Sequence, residues 1–324
     1  MKPYAIGIDV GGTKIAAGLV DRAGQILQRY TTYAHSEKEP EAVIAAIVDA
    51  FSAIVRAGNI TPDDIEGLGL GFPGNTNGPE GIVLVSSNLP AWSHFPLRDT
   101  LAARIGVPVV LDNDTNLGAV GEHRYGAGRG AKNMVYVTFS TGYGAGIIIN
   151  DRLYVGALGT AGEVGHAVIE IGGAPCTCGK NGCVMAYASG IGLSRLAYER
   201  LDAGVATSLR ESTSPERRRI SGEQIAAAAQ QGDAVAAEIL RIGGTYGGVG
   251  LSLLVQILNP ELIVLGGGLT RIGAPLLDPL MAALREHVQP EVWESVRVEP
   301  WQLGNDLGIL GAAAQVFATA EAGE

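Results

Sequence analysis

The sequence predicts an α/β protein made of two lobes around one cleft, and three observations support this fold class. The chain has 324 residues, which is more than one hydrophobic core usually accommodates. Its 47 glycines, about twice the usual share of ~7%, occur together with 47% hydrophobic residues, so they indicate turns in a packed protein rather than low complexity. Finally, one order of strands and glycine turns recurs about 130 residues later in the chain.

The first copy of this order begins near the N-terminus. An apolar strand, a glycine turn, a return strand, a second turn and a third strand follow one another. A helix comes next because apolar residues recur at helical spacing after Pro40, which suits the first turn of a helix. The elements predicted in this half are strands 4–9, 15–20, 25–32, 65–71 and 107–111, and helices 40–58 and 97–105.

The second copy begins with a strand, a turn rich in hydroxyl groups and glycine, and two further strands. The chain after this point is mostly helical and contains one more buried strand, which ends in Gly266-Gly267-Gly268. The glycines of residues 243–250 are expected to permit close helix packing, and residues 206–219 read as an exposed loop or helix start. The elements predicted in this half are strands 134–139, 145–149, 152–154 and 262–265, and helices 220–231 and 233–258.

Charge and hydropathy exclude several kinds of partner. With 23 Lys+Arg against 33 Asp+Glu the net charge is −10, which disfavours binding to nucleic acid or to an anionic membrane surface. The N-terminus lacks the apolar core of a signal peptide, so we expect a cytoplasmic protein. Two uncharged stretches, 133–150 and 242–260, carry too many hydroxyl groups and glycines for membrane spans and are interpreted as a hairpin and a buried helix.

The first strand-to-strand bend has the sequence Asp9-Val10-Gly11-Gly12-Thr13-Lys14, which is typical of a phosphate-binding turn. Two glycines let backbone N–H groups approach a phosphate, Thr13 and Lys14 add donors, and Asp9 could orient Mg²⁺ through water. The spacing fits neither a Walker loop nor a Rossmann fingerprint, and an ordinary glycine hairpin is the alternative. A comparable turn at Thr141-Gly142 in the second copy favours phosphate binding.

Five polar residues, Asp112-Asn113-Asp114-Thr115-Asn116, stand at the carboxyl end of an apolar strand. Such a cluster either caps a helix or binds a ligand. Capping by Asp114 or Thr115 would explain one of the residues but not all five. A carboxylate at this edge could accept the proton of a hydroxyl group that attacks phosphorus.

The three cysteines, Cys176, Cys178 and Cys183, lie within eight residues of one another. An odd number this close together is a poor disulfide framework. With His166 they would supply the four ligands of tetrahedral Zn²⁺, and since no position would stay open, the site is predicted to be structural. The alternative is that they are three small buried hydrophobic residues.

These motifs together resemble the ROK family of bacterial sugar kinases and repressors, which have the actin-like ATPase fold. The most specific match is Gly162-Glu163-Val164-Gly165-His166 followed by the cysteine cluster, and the resemblance covers essentially the whole chain. It implies a small lobe of residues 1–116 plus 303–324 and a large lobe of 117–302 with the zinc-binding loop. The other matching segments are Asp9 to Lys14, Gly71 to Gly74, Asn88-Leu89-Pro90, Asn113-Asp114, Thr141-Gly142, Ala186 to Gly190 and Gly308 to Ala314.

The resemblance implies ATP-dependent phosphorylation of a hexose at its 6-hydroxyl group, with glucose as the default substrate and a homodimer or homotetramer as the usual assembly. Asp114 would be the general base, and His166 would both contact the sugar and bind zinc. The sugar site would comprise Gly74, Asn113, Asp114, Glu163 and His166; the ATP and Mg²⁺ sites Asp9, Gly11, Gly12, Thr13, Lys14, Thr141, Gly142, Gly266 and Gly267; and the Zn²⁺ site His166, Cys176, Cys178 and Cys183.

Two departures from the family pattern concern the sugar. Met185 stands where the family usually has a glutamate that contacts the sugar, and Asn75-Thr76-Asn77 stands where an acidic residue is more frequent. A kinase for an N-acetylhexosamine (N-acetylglucosamine or N-acetylmannosamine) or for fructose is therefore an alternative, as is a sugar-binding protein without catalysis. A repressor is disfavoured, because family repressors carry a DNA-binding domain before the first phosphate motif and here that motif begins at Asp9.

Overall fold

The computed structural model describes residues 1–12, 14–33, 39–85, 92–213 and 219–323. The architecture is α/β, and the chain divides into two compact units. The first unit comprises Met1–Tyr136, Gly146–Ala161 and Trp301–Glu324, and the second comprises Val137–Ala145 and Gly162–Pro300. The lobe boundaries inferred from the resemblance stay a prediction.

Every predicted helix and strand is present in the predicted order, together with further elements that were not predicted. The strands are β1 (Tyr4–Val10), β2 (Lys14–Asp21), β3 (Ile26–Tyr33), β4 (Ile65–Phe72), β5 (Asn75–Asn77), β6 (Ile82–Val85), β7 (Ser93–Phe95), β8 (Val109–Asn113), β9 (Met134–Phe139), β10 (Tyr143–Ile149), β11 (Arg152–Leu153), β12 (Leu262–Gly266) and β13 (Arg297–Pro300). The helices are α1 (Pro40–Gly58), α2 (Leu97–Ile105), α3 (Asp114–Tyr125), α4 (Gly190–Asp202), α5 (Gly222–Gln230), α6 (Ala234–Leu258), α7 (Ala274–Glu286), α8 (Pro290–Trp293) and α9 (Leu307–Ala322).

The first unit is built on a five-stranded sheet with the order β3-β2-β1-β4-β8. Strand β1 pairs antiparallel with β2 and parallel with β4, which in turn pairs parallel with β8. One face of the sheet packs against α1 and α2 in a core that contains Ile6 and Ile8, whereas Ala5 faces the opposite way and packs with α9. Because side chains alternate along a strand, β1 contributes to both layers.

Glycines on the central strands let α9 lie close to the sheet. A Cβ atom on Gly7 would overlap the carbonyl oxygen of Ile309, and one on Gly69 would overlap the carbonyl of Ala312. Since any larger residue would push the helix away, these two glycines serve packing and not ligand binding. The position of α9 matters for the site because its first turn lies next to Asp9.

A buried carboxylate ties α3 to the segment that leads into α9. Glu122 is fully buried. Its Oε1 accepts hydrogen bonds from the backbone N–H groups of Gln302 and Leu303, both at 2.9 Å, and its Oε2 accepts one from Ala127 at 2.8 Å. Three backbone donors around one carboxylate satisfy its hydrogen-bonding capacity and stabilise its charge.

We expect Glu122→Gln to destabilise the protein by about 1–3 kcal/mol, because the new amide NH₂ group would face the N–H of Ala127 and leave two donors opposed. Denaturant unfolding measures the loss. Glu223→Gln, at an exposed position of α5, is the matched control and should change the stability by less than about 0.5 kcal/mol. Equal stabilities of the two variants would contradict the role of Glu122.

The other five-stranded sheet has the order β11-β10-β9-β12-β13, and most of the second unit is helical. Helices α6 and α7 pack closely, because a Cβ atom on Gly244 would overlap the carbonyl of Leu276 and one on Gly248 would overlap that of Leu280. The predicted packing role of residues 243–250 is confirmed for these two glycines. Among the helices that the structure describes, none is long and apolar enough to cross a bilayer.

Candidate active site

The predicted base, Asp114, is the first residue of α3 and directly follows β8. Asn113 precedes it as the N-cap, and its side-chain oxygen accepts a hydrogen bond from the N–H of Thr115 at 2.8 Å. The amide Nδ2 of Asn113 donates to the carbonyl of Gly74 at 2.8 Å. The structure thus brings Gly74, Asn113 and Asp114 together. The cap of the helix is Asn113, and Asp114 is an exposed residue.

Asp112 stabilises this turn through hydrogen bonds, a role that was not predicted from the sequence. Its side chain is buried, with 4% of its surface exposed. Its Oδ1 accepts hydrogen bonds from the N–H of Asn113 at 2.7 Å and from Nδ2 of Asn116 at 2.8 Å. Burial raises the pKa of Asp112 to about 6, against the lowering effect of these two hydrogen bonds. Local hydrogen bonds therefore account for Asp112 and Asn116, and Asp114 is left available for a ligand.

Asp9 and Asp114 are electrostatically coupled carboxyl groups in the first unit. Burial and then the negative charge of Asp114 raise the pKa of Asp9 to about 6, while Lys14 lowers it. Asp114 is exposed as a residue, yet the protein atoms around its carboxyl group exclude water and raise its pKa, against hydrogen bonds from Thr115 and from its own backbone N–H. Asp9 also lies beside Gly308 in the first turn of α9, where helix N–H groups favour an anion. Two like charges at such a place could be neutralised by a divalent cation.

The first glycine turn connects β1 to β2 as predicted. The N–H of Gly11 donates to the carbonyl of Lys14 at 2.9 Å and closes the turn. A Cβ atom on Gly12 would meet no atom of the described residues within 4 Å, so the backbone there leaves room for a ligand. Lys14 is exposed at the start of β2, whereas Thr13 lies outside the described residues. Asn88-Leu89-Pro90, one of the segments that carried the resemblance, also lies outside them.

The second glycine turn, between β9 and β10, rests on the N-terminus of α4. The N–H of Gly190 donates to the carbonyl of Ser140 at 2.8 Å, and the N–H of Ile191 donates to that of Thr141 at 3.3 Å. Arg219 donates from Nη2 to the Thr141 hydroxyl at 3.2 Å. Arg219 was missed by the sequence analysis, since 78 residues separate it from its partner. Its cationic side chain now joins Thr141 and Gly142 as a candidate phosphate contact.

Gly266 and Gly267 lie next to this turn, because β12 and β9 are neighbours in the sheet. Gly267 has a positive φ of 89°, and a Cβ atom on it would overlap the backbone of Phe139 at the end of β9. In the part of the chain that the structure describes, no atom lies within 4 Å of the place of a Cβ atom on the following residue, Gly268. Gly267 is therefore required for packing, and the space open to a ligand lies beside Gly268.

A cavity of about 450 Å³ adjoins the second turn. Its wall is one face of α4, formed by residues three and four positions apart, together with Arg219. This volume is in the range of sites that hold small ligands. The lining residues are Ile191, Ser194, Arg195, Tyr198, Glu199, Asp202 and Arg219.

Glu163 and His166 lie in a segment that packs on β10. A Cβ atom on Gly162 would overlap the carbonyl of Ala145, and one on Gly165 would overlap that of Tyr143, so both glycines allow this close approach. His166 Nε2 lies 3.9 Å from Glu163 Oε2. The two side chains, predicted to contact a sugar, are thus neighbours and remain partly exposed.

The predicted zinc ligands form one cluster, in which the ligand atoms of His166, Cys176, Cys178 and Cys183 all lie within 4.8 Å of one another. His166 Nδ1 is 3.6 Å from Cys176 Sγ, and Cys178 Sγ is 3.7 Å from Cys183 Sγ. Zn–S bonds of about 2.3 Å and a Zn–N bond of about 2.0 Å in a tetrahedron place two sulfur atoms about 3.8 Å apart and nitrogen and sulfur about 3.5 Å apart. The cluster therefore fits a closed, structural zinc site.

The imidazole of His166 can serve both of its predicted roles. Nδ1 faces the cysteines, and Nε2 is on the side of Glu163. Because the two ring nitrogens are distinct, a metal on Nδ1 leaves Nε2–H as a hydrogen-bond donor. Zinc bound here would fix the orientation of the ring toward a substrate and would not itself activate one.

Comparison with known proteins identifies the family. The model described as ROK family matches residues 5–318. The chain belongs to the ROK family. A glucokinase from Streptomyces coelicolor is 38% identical over 314 residues, covering 95% of this chain and 96% of that one.

Solved structures of ROK proteins agree with this assignment. A ROK hexokinase from Thermus thermophilus is 32% identical with a TM-score of 0.84, covering 98% of this chain and 99% of that one. A ROK family glucokinase from Streptomyces griseus, in complex with glucose and AMPPNP, is 36% identical with a TM-score of 0.79, covering 96% of this chain and 98% of that one. The predicted ROK membership and the predicted two-lobed actin-like ATPase fold are confirmed.

Proposed function

We propose that this ROK protein is an ATP-dependent kinase that phosphorylates a hexose, with glucose as the first substrate, at the 6-hydroxyl group. The observation that carries the proposal is the turn at Asn113 and Asp114. The carboxyl group of Asp114 has a raised pKa, and the neighbouring Asn113 is fixed by hydrogen bonds to Gly74 and from Thr115. Similarity to the Streptomyces coelicolor glucokinase over 95% of the chain supports glucose.

Asp114 accepts the proton of the sugar 6-hydroxyl as this oxygen attacks the γ-phosphorus of ATP. The bond from the sugar oxygen to phosphorus forms, the bond from γ-phosphorus to the bridging oxygen breaks, and ADP leaves. The raised pKa of the Asp114 carboxyl group makes its carboxylate a stronger base than that of an ordinary aspartate. Asn113 supports the sugar beside the base, and its link to Gly74 fixes that position.

The phosphates of ATP are assigned to the two glycine turns, Gly11 to Lys14 and Thr141-Gly142. The open backbone at Gly12 and the cationic groups of Lys14 and Arg219 suit an anionic ligand. The nucleoside is assigned to the α4 cavity and the space beside Gly268. Mg²⁺ held near Asp9 through water would neutralise charge on the phosphates.

Glu163 and His166 are assigned to the sugar. Their partly exposed side chains provide a carboxylate acceptor and an imidazole donor, a pair that suits adjacent hydroxyl groups. Structural zinc bound to the cysteines and to His166 would hold the imidazole in place. We also propose that the protein forms a homodimer or homotetramer. It would be located in the cytoplasm and would not bind nucleic acid or membranes.

A coupled assay of ADP release tests it. The protein with Mg²⁺ and ATP is given glucose, mannose, fructose, N-acetylglucosamine and N-acetylmannosamine, and glucose is expected to show the highest kcat/KM. A higher value for fructose or an N-acetylhexosamine would select that alternative. Sugar binding in calorimetry without turnover of any sugar would identify a sugar-binding protein without catalysis and would refute the kinase.

Arg219→Ala is expected to raise the KM for ATP about tenfold with kcat changed less than about threefold, because a hydrogen bond from a charged group to a bound anion is worth roughly that factor. Steady-state kinetics with varied ATP measures it. The control is Arg200→Ala, since Arg200 lies on α4 but contacts Glu238 and is not among the residues that line the cavity. An unchanged KM in Arg219→Ala would remove this residue from the nucleotide site.

A further inference from the structure

Met185 occupies a fixed position next to the groups assigned to both substrates. It lies in a short 3₁₀ turn, Val184–Ala186, directly after the last zinc ligand. Its carbonyl accepts a hydrogen bond from the hydroxyl of Ser189 at 2.7 Å, and Ser189 is fully buried as the N-cap of α4. The backbone of Met185 is therefore held by the zinc loop on one side and by α4 on the other.

The side chain of Met185 extends between two of the turns described above. Its Sδ atom is 3.7 Å from the place that a Cβ atom on Gly142 would occupy, and its Cβ atom is 3.5 Å from the place of one on Gly165. Gly142 belongs to the second phosphate turn, and Gly165 directly precedes His166. Met185 is half-buried as a residue, so part of its surface faces open space. Met185 thus lines the region where phosphate and sugar are assigned within the second unit.

The chemistry of a thioether differs sharply from that of its neighbours. Glu163 and His166 offer strong hydrogen-bonding groups, whereas the sulfur of methionine is a weak acceptor and has no donor. A sugar hydroxyl group that faces Met185 would leave water without gaining a good partner. A hydrogen atom or a methyl group at the same place would instead gain contact with a flexible apolar surface.

We propose that Met185 determines sugar specificity, so that the protein accepts hexoses whose hydroxyl group facing Met185 is absent or replaced by a small apolar substituent. This proposal rests on the proposed function, because it concerns the sugar site of the same kinase. Specificity of this kind is a difference between substrates. A site that hydrogen-bonds a hydroxyl rejects the analogue without it, and a site that does not bond the hydroxyl tolerates that analogue.

The test compares glucose with its 1-, 2-, 3- and 4-deoxy analogues, both as substrates and as ligands in calorimetry. In the unmodified protein we expect one analogue to keep kcat/KM and affinity within about threefold of glucose, while the others fall at least about thirtyfold. In Met185→Glu, glucose should improve about tenfold, and that same analogue should become at least about tenfold worse relative to glucose. Met185→Leu, which keeps the apolar surface, should keep the original profile.

Zinc content and circular dichroism establish that the variants are folded, and Met185→Gln provides a second polar side chain if Met185→Glu does not fold. A folded polar variant with the same deoxy-sugar profile as the unmodified protein would overturn the proposal. Because affinities are measured as well as rates, this result is separate from a failure of the kinase proposal, in which sugars bind but none is phosphorylated.

Discussion

Asp114→Asn is expected to lower kcat by about a thousandfold or more while the protein stays folded. The amide cannot accept the proton of the sugar 6-hydroxyl, and general base catalysis contributes up to roughly 10⁴-fold to such reactions. The fold should persist because the cap of α3 is Asn113 and not Asp114. The carboxylate of Asp114 is also unfavourable in its place, as its raised pKa shows, so replacing it should not destabilise the protein.

The measurement is the coupled assay with saturating ATP and hexose, together with thermal unfolding of the same samples. Asp49→Asn, at an exposed position of α1, serves as the control and should keep full activity. Calorimetry should show that Asp114→Asn still binds hexose. If Asp114→Asn retained more than about a tenth of kcat, Asp114 would lose the base role and another proton acceptor would be required.

The raised pKa values predict opposite pH trends for activity and stability. Activity requires the ionised base, so kcat/KM should fall as the pH drops through the raised pKa of Asp114.

The stability of the substrate-free protein should change in the opposite direction, because the contribution of Asp9 decreases as the pH rises. Its folded pKa of about 6 exceeds its unfolded value, so its contribution to stability is complete below about pH 4 and is lost as the pH rises to about 6. Asp9→Asn should reduce the loss of stability between pH 4 and 7 without abolishing it, because Asp112 also has a raised pKa; thermal unfolding over this range measures the difference.

Most regular elements could be predicted because their apolar residues repeat with a clear period. Helix α1 and strand β9 have the predicted bounds, and the two glycine turns follow directly from the strands that flank them. The zinc ligands could be predicted because three of them lie within eight residues, so that local chain geometry brings them together. In each case the signal and the structure span the same short stretch of chain.

Helix α4 could not be predicted in the same way, although it supports the second phosphate turn. Its first turn contains Gly190 and Gly192, which are poor helix formers. The helix is stabilised instead by the Ser189 cap and by the carbonyl groups of Ser140 and Thr141, about 50 residues earlier in the chain. The contact of Arg219 with Thr141 depends on the same long-range packing. Strands β5 and β7 have three residues each, which is too short for a periodic pattern.

The glycine composition indicated turns, but it could not distinguish glycines that leave space for a ligand from glycines that let two segments of the chain pack closely. Gly12 and Gly268 have open space where a side chain would be, as expected beside a ligand. Gly162, Gly165 and Gly267 lie in the same kinds of turn, yet a side chain on them would overlap neighbouring backbone. Only the tertiary structure distinguishes a glycine that admits a phosphate from a glycine that lets two segments pack.

The second large effect is expected from Cys178→Ser. Cys178 is exposed, so the substitution removes one zinc ligand without opening a hole in the core. Zinc content should fall from about one ion per chain to a small fraction, because thiolate ligands contribute strongly to such sites. We expect kcat/KM for the hexose to fall at least about a hundredfold, with the larger part of the change in KM, since zinc would orient His166 and not carry out the chemistry.

The contacts of the zinc-binding loop indicate which parts of the protein the loss of zinc would change. Without the metal, the loop from Val168 to Cys183 keeps its contact with α6 through Tyr246, whose hydroxyl donates to Glu170 at 2.9 Å, so the helices should stay folded. His166 loses its partner at Nδ1 and becomes free to rotate, which removes Nε2 from the side of Glu163. Thr177→Ala, between two ligands but exposed and outside the cluster, should keep both zinc and activity. A zinc-free Cys178→Ser protein with unchanged KM for the hexose would show that the metal does not hold the sugar site, and His166 would then act without it.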